Sequence, residues 1–294
     1  MRKIILFLIL NLIASMALAK VHSGNYNMTF DLSAHNRNGE ARLWIPYPVS
    51  DGNQVISNIS WSGNYSEAAV YTDQEFGTPM LYVRWDKTLE KKQMTFNFSA
   101  KRNEQIANDI PDSAAFFNPN DYRLYLAATS LGPTDGGVKV LADKITGNES
   151  TIFGKARAIY DWTVDNTFRD PKTRGCGVGD VNKLLKRPGG KCADISSVYV
   201  ALARAAGVPS REVFGIRSGR DDRQDVTGWQ HCWAEFYLPG YGWIPVDPAD
   251  VRKAMLRQKL KIDDPRVAEL REYYFGSVDP YRVRLAEGRD LQLS

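Results

Sequence analysis

Between Cys192 and Ala206 the chain runs Cys-Ala-Asp-Ile-Ser-Ser-Val-Tyr-Val-Ala-Leu-Ala-Arg-Ala-Ala, a helix-forming stretch that is apolar nearly all round. A surface helix shows one apolar stripe, whereas a helix without a polar face belongs in the middle of its domain. Pro188-Gly189-Gly190 precedes the stretch and Gly207 stops it. The fold must therefore wrap a central helix, and that helix opens on a cysteine. A helix N-terminus carries partial positive charge and unpaired N–H groups, so it stabilises a thiolate and can hold an oxyanion. Such a position brings a cysteine pKa from about 8.5 into the range of roughly 3.5–7.5.

Apolar spacing sorts the remaining chain into two regions. From Asn25 to about Lys101, short runs alternate with period two and are rich in aromatic and β-branched residues. Examples are Tyr26–Phe30, Arg42–Ile45, Ala69–Thr72, Leu81–Trp85 and Gln93–Phe98, with breaks at Asp51-Gly52-Asn53 and Ser62-Gly63-Asn64. This predicts an antiparallel β-sandwich-like domain over 20–105. An extended connector over 106–134, rich in Asn, Asp and Pro, follows. From 135 to 294 the pattern is α+β. Helices are expected at Val138–Ile145, Ile152–Val164, a short one capped by Asp180, Cys192–Ala206, Asp250–Leu260 and Pro265–Tyr274. Strands are expected at Ser210–Arg217, His231–Leu238, Trp243–Val246 and Arg282–Ala286.

His231 is the single histidine outside the N-terminal region, and Asp247 follows it by sixteen residues. Phe236–Trp243 reads as a hairpin with its loop on Pro239-Gly240. Folding about position 239 sets His231 opposite Asp247 on one face, and a register slip of two keeps that face. Trp233, Trp243 and Pro245 share it; Cys232 and Ala234 turn toward the core. Nucleophile, base and orienting carboxylate are thus available as Cys192, His231 and Asp247, the outline of a thiol acyl-transfer site. Trp229, Gln230 and Trp233 are candidates for a substrate groove. The polar stretch Arg217–Gly228 reads as a flap beside it, and His22 and His35 as surface histidines among turn residues.

Residues 1–19 are expected to be a signal peptide: Arg2-Lys3, an apolar run from Ile4 to Ile13, and Ala17-Leu18-Ala19 as cleavage site. The apolar run is shorter than the roughly 20 residues of a membrane span, and no stable membrane insertion is expected after cleavage. Loss of Arg2 and Lys3 leaves 36 basic against 34 acidic residues, too weak a charge for nucleic acid. A periplasmic or extracellular location follows as an expectation. In an oxidising compartment three cysteines (Cys176, Cys192, Cys232) leave one free. A Cys176–Cys232 disulfide and three free thiols both fit. No metal or cofactor is expected, because only His231 and Cys232 are adjacent and they face opposite ways in a strand.

Three blocks carry a resemblance: Gly190-Lys191-Cys192 with the helix ending Ala205-Ala206-Gly207-Val208-Pro209, then His231-Cys232-Trp233-Ala234-Glu235, then Gly242–Pro248 with Asp247. In order and spacing the chain resembles the transglutaminase-like superfamily. The resemblance is strong over 135–250 and loose elsewhere. It implies a papain-like α+β core, with the cysteine on its central helix against a sheet that carries histidine and aspartate. One departure stands out: the upstream region Arg174–Val181 has no tryptophan, which animal transglutaminases use to assist the oxyanion. The resemblance therefore implies an exported cysteine-dependent amide hydrolase or peptidase, acting on a peptide or protein, such as a cell-envelope peptide. Acyl transfer to an amine, or a binding protein with an idle triad, are the alternatives. Oligomeric state is left open.

Overall fold

The computed structural model describes residues 20–34, 39–107, 110–111 and 117–293. The expected signal peptide and His35 lie outside them.

Six antiparallel strands open the fold: β1 (Val21–Asp31), β2 (Ala41–Pro46), β3 (Gln54–Gly63), β4 (Glu67–Thr72), β5 (Pro79–Trp85) and β6 (Gln93–Asn103). They form two three-stranded sheets, ordered β1-β6-β3 and β2-β5-β4. Alternation decides the layering. Met94, Phe96, Phe98 and Ala100 of β6 are buried while their neighbours are more open, and they meet Ile45, Leu81, Val83 and Trp85 from the other sheet in one apolar cluster. His22 is not in a turn. It sits within β1, half-buried, its ring 4.7 Å from that of Tyr281.

Of the expected connector, the described residues include the end of β7 (Gln105–Ile106), a 3-10 turn at Pro119–Tyr122 and α1 (Arg123–Leu126). The Ala127 carbonyl accepts from Arg204 at 2.8 Å and the Leu131 carbonyl from the Val181 N–H at 2.9 Å, which fasten the segment to the following unit.

That unit holds α2 (Gly136–Thr146), α3 (Ile152–Asn166), β8 (Phe168–Arg169), α4 (Val181–Leu184), β9 (Gly189–Gly190) and α5 (Cys192–Ala205). Then come β10 (Ser210–Arg217), β11 (Gln230–Leu238), β12 (Gly242–Val246), α6 (Pro248–Gln258), α7 (Pro265–Tyr274), β13 (Ser277–Val278) and β14 (Arg282–Glu287). The main sheet is antiparallel, ordered β12-β11-β10-β14. Every residue of α5 is buried, as its lack of a polar face requires. Val198, Leu202 and their neighbours pack on Ala234, Phe236, Leu238, Ile244 and Val246 of the sheet, with α2 and α3 closing the other side.

The β11–β12 hairpin forms with its register displaced by two from the sequence expectation. Phe236 pairs with Ile244 and Tyr237 with Trp243, so Asp247 lies in line with Trp233 rather than His231. The turn centres on Gly240, whose φ of +79° suits a residue without Cβ. An even displacement leaves odd-numbered residues on one face, so His231 and Asp247 still meet.

Candidate active site

Local chemistry places each group. Cys192 is the first residue of α5, His231 the second of β11, and Asp247 the N-cap of α6, where its Oδ1 accepts from the Asp250 N–H at 2.8 Å. The other Asp247 oxygen lies 2.7 Å from His231 Nε2. His231 also helps to hold the Cys192 thiol below its ordinary range. All three side chains are buried, Cys192 at 2 % exposure.

A buried charge network surrounds the His–Asp pair. Arg282, fully buried, donates to Asp247 Oδ2 at 2.5 Å, to Asp250 Oδ2 at 2.8 Å and to Asp279 Oδ2 at 2.9 Å. Arg217 donates to Asp250 Oδ2 at 2.5 Å. Three carboxylates therefore face two guanidinium groups and the His231 ring. Burial and Arg217 push the His231 pKa down, but Asp250 and Asp247 outweigh them and hold it above the ordinary range.

The second feature is sulfur. All three cysteines of the chain converge: the Sγ atoms of Cys176, Cys192 and Cys232 lie within 4.8 Å of one another, each as a free thiol. Hydrogen bonds from the Cys176 and Cys232 thiols hold Cys192 far below the ordinary thiol range; burial opposes this and His231 adds to it. In the same cluster Cys176 is pushed up to about 11, first by its contact with Cys192. Cys232 faces the helix side of the sheet, as expected, but that side is where Cys192 begins. It thus borders the candidate nucleophile instead of pointing away from it.

A fastened loop holds Cys176 there. The Asp194 carboxylate accepts from the N–H groups of Val178 (3.0 Å) and Gly179 (2.8 Å) on one oxygen and Lys191 (3.1 Å) on the other. The Cys176 carbonyl accepts from the Ala193 N–H at 2.9 Å. Arg289 ties the same loop down through the Val178 carbonyl at 3.1 Å and Ser197 Oγ at 2.6 Å. The region expected from sequence to lack a tryptophan, Arg174–Val181, is thus a cysteine-bearing loop clamped by an aspartate.

The three groove candidates separate. Trp229 (38 % exposed) and Gln230 are at the surface beside His231. Trp233 is 1 % exposed, its ring 6.3 Å from and nearly parallel to that of His231. It backs the imidazole and offers no face to a ligand. Alternation along a strand gave its side of the sheet, but Val213 and Val278 pack against it there.

With this geometry in place, comparison with known proteins is informative. The core model of the transglutaminase-like superfamily matches residues 139–248, the stretch that holds Cys192, His231 and Asp247. This chain belongs to the transglutaminase-like superfamily. An uncharacterised protein of Haemophilus influenzae is 35% identical over 329 aligned residues, covering 100% of this chain and 89% of that one. A protein-glutamine gamma-glutamyltransferase of Pseudomonas aeruginosa is 33% identical over 87 residues, 28% of this chain and 13% of the relative. Among solved structures, a candidate cysteine protease from Cytophaga hutchinsonii shares the fold. Its TM-score is 0.62 at 16% identity, over 92% of this chain and 82% of that one. Transglutaminase-like proteins are generally cysteine-dependent enzymes, which agrees with a cysteine at the head of the central helix.

Proposed function

We propose that this member of the superfamily is an exported thiol amide hydrolase acting on a peptide, with Cys192 as nucleophile, His231 as general base and acid, and Asp247 as the group that orients it. One observation carries the reading: His231 Nε2 is 2.7 Å from Asp247 Oδ2, and the same histidine helps to depress the thiol of a cysteine at a helix N-terminus. The Cys192 thiolate attacks the amide carbonyl, and the Cys192 N–H, which has no intrahelical acceptor, donates to the developing oxyanion. His231 passes its proton to the leaving amine, leaving a thioester. Water then attacks the thioester with His231 taking its proton, and the C–S bond breaks to release the acid and the Cys192 thiolate. Export rests on the leader-like residues 1–19; among the described residues no helix is long and apolar enough to cross a membrane.

The test is alkylation of the reduced protein by iodoacetamide from about pH 4 to about pH 10, read by peptide mass, beside ammonia and amine release from glutamine-containing peptides. Rapid labelling of Cys192 well below pH 8, slowed in His231→Ala, together with release that needs no added amine, is expected. Labelling that rises only near the ordinary thiol pKa rules the site out. Release that depends on an added amine makes the protein an acyl transferase instead.

A further inference from the structure

We propose that Cys176, Cys192 and Cys232 form a three-thiolate site for Zn(II), and that the bound ion withdraws Cys192 from use as a nucleophile. The second half rests on the function proposed above; the first does not.

Three cysteines from three separate elements, the whole complement of the chain, meet at one point. Zinc–thiolate bonds are about 2.3 Å, so three sulfurs on a tetrahedral ion stand about 3.8 Å apart. The observed separations, all within 4.8 Å, need only a small inward movement. The ligand that local sequence would leave free, Cys176, is held in place by the Asp194 and Arg289 contacts to residues 178 and 179 and by the Ala193 N–H on its own carbonyl. Gly177 is part of that device: its φ is +96°, and a Cβ there would fall 2.0 Å from Asp194 Oδ2. Cys192 and Cys232 are buried and Cys176 is partly open, which gives the ion an approach from the loop side.

Charge also fits. On binding, three Zn–S bonds form, and the Cys176 and Cys232 thiols release their protons to solvent. The Cys192 thiol gives up its proton as well. The resulting site carries one net negative charge, and a water completes four-coordination. Soft thiolate sets favour zinc over the hard cations magnesium and calcium.

The full mature chain, reduced and metal-free, is titrated with Cd(II), whose thiolate complexes absorb in the near ultraviolet. The expected result is a charge-transfer band saturating at one equivalent and displaced by Zn(II). Affinity should fall about 10- to 100-fold or more in Cys176→Ser and in Cys232→Ser. X-ray absorption at the zinc edge of the unaltered protein should show three sulfurs at about 2.3 Å, a readout that does not depend on the variants folding. Zn(II) should also slow Cys192 alkylation. A missing band, fewer than three sulfurs, or a Cys176–Cys232 disulfide in the protein as exported overturns the site. A band with three sulfurs in a protein that hydrolyses no amide keeps the metal site and removes the hydrolase reading.

Discussion

Arg282 is fully buried and touches Asp247, Asp250 and Asp279 at once. Breaking a buried ion pair by removing one partner costs about 3–5 kcal/mol, because the remaining charge has no compensation. Arg282→Met is expected to lose about that much stability in urea unfolding, and it also takes one donor from Asp247. Asp247→Asn tests a different link. It keeps the shape but removes the acceptor that holds His231, and amide turnover should fall by roughly 10⁴ while Cys192 remains alkylatable. His231 also makes stability depend on pH. Its folded pKa lies above the unfolded value of about 6.5, so protonation favours the folded state. That contribution is complete below about pH 6.5 and lost as pH rises through the folded value. Urea unfolding of Cys192→Ser, which removes the titration of the neighbouring Cys192, should show this alkaline loss, and adding His231→Gln should abolish it. His231 and Asp247 could be read from sequence because one hairpin joins them. Arg282 could not, because it arrives 35 positions after Asp247 with no pattern linking it to either.

At the level of elements, the loop over the start of α5 is the part that sequence reading passed over. Residues 176–179 have no apolar period, and the fold is held there by three N–H groups converging on Asp194. That convergence is visible only after the chain has closed. Gly177→Ala forces a Cβ into the Asp194 carboxylate at a positive φ. It is expected to cost about 1–3 kcal/mol and to move Cys176 away from Cys192, raising the pH at which Cys192 alkylation switches on. An unchanged alkylation profile in a destabilised but folded variant would show that Cys176 does not tune the thiolate. The helices and strands around the loop were legible for the opposite reason: α5, β10 and α7 each carry a repeating apolar spacing bounded by Gly, Pro or a capping aspartate. The hairpin register escaped by two residues, since Pro239 and Gly240 both read as turn centres and only the positive φ at Gly240 decides between them.

The two halves of the molecule share a core, which composition alone could not show. Ile216 and Val283, from β10 and β14, are buried in the same apolar cluster as Phe96, Phe98 and Trp85 of the sandwich. Gln54, 1 % exposed, donates to the Arg284 carbonyl at 3.0 Å and accepts from the Arg284 N–H at 3.0 Å, as a strand neighbour would. Thr78 Oγ donates to the Glu287 carbonyl at 2.8 Å, and β7 pairs with β13. Around a polar cavity of about 130 Å³, Asp51 and Arg102 face Arg211, Glu235 and Trp243. Removing the sandwich would open the back of the sheet that carries His231 and expose Val283, so the halves should unfold together. Calorimetry of the mature chain is expected to give one transition with equal calorimetric and van't Hoff enthalpies. Gln54→Leu leaves the partly buried N–H and C=O of Arg284 without these partners, at a cost of about 1–3 kcal/mol. It should lower the midpoint of that single transition; splitting it in two would mean that the sandwich is an independent module and not a wall of the α+β unit.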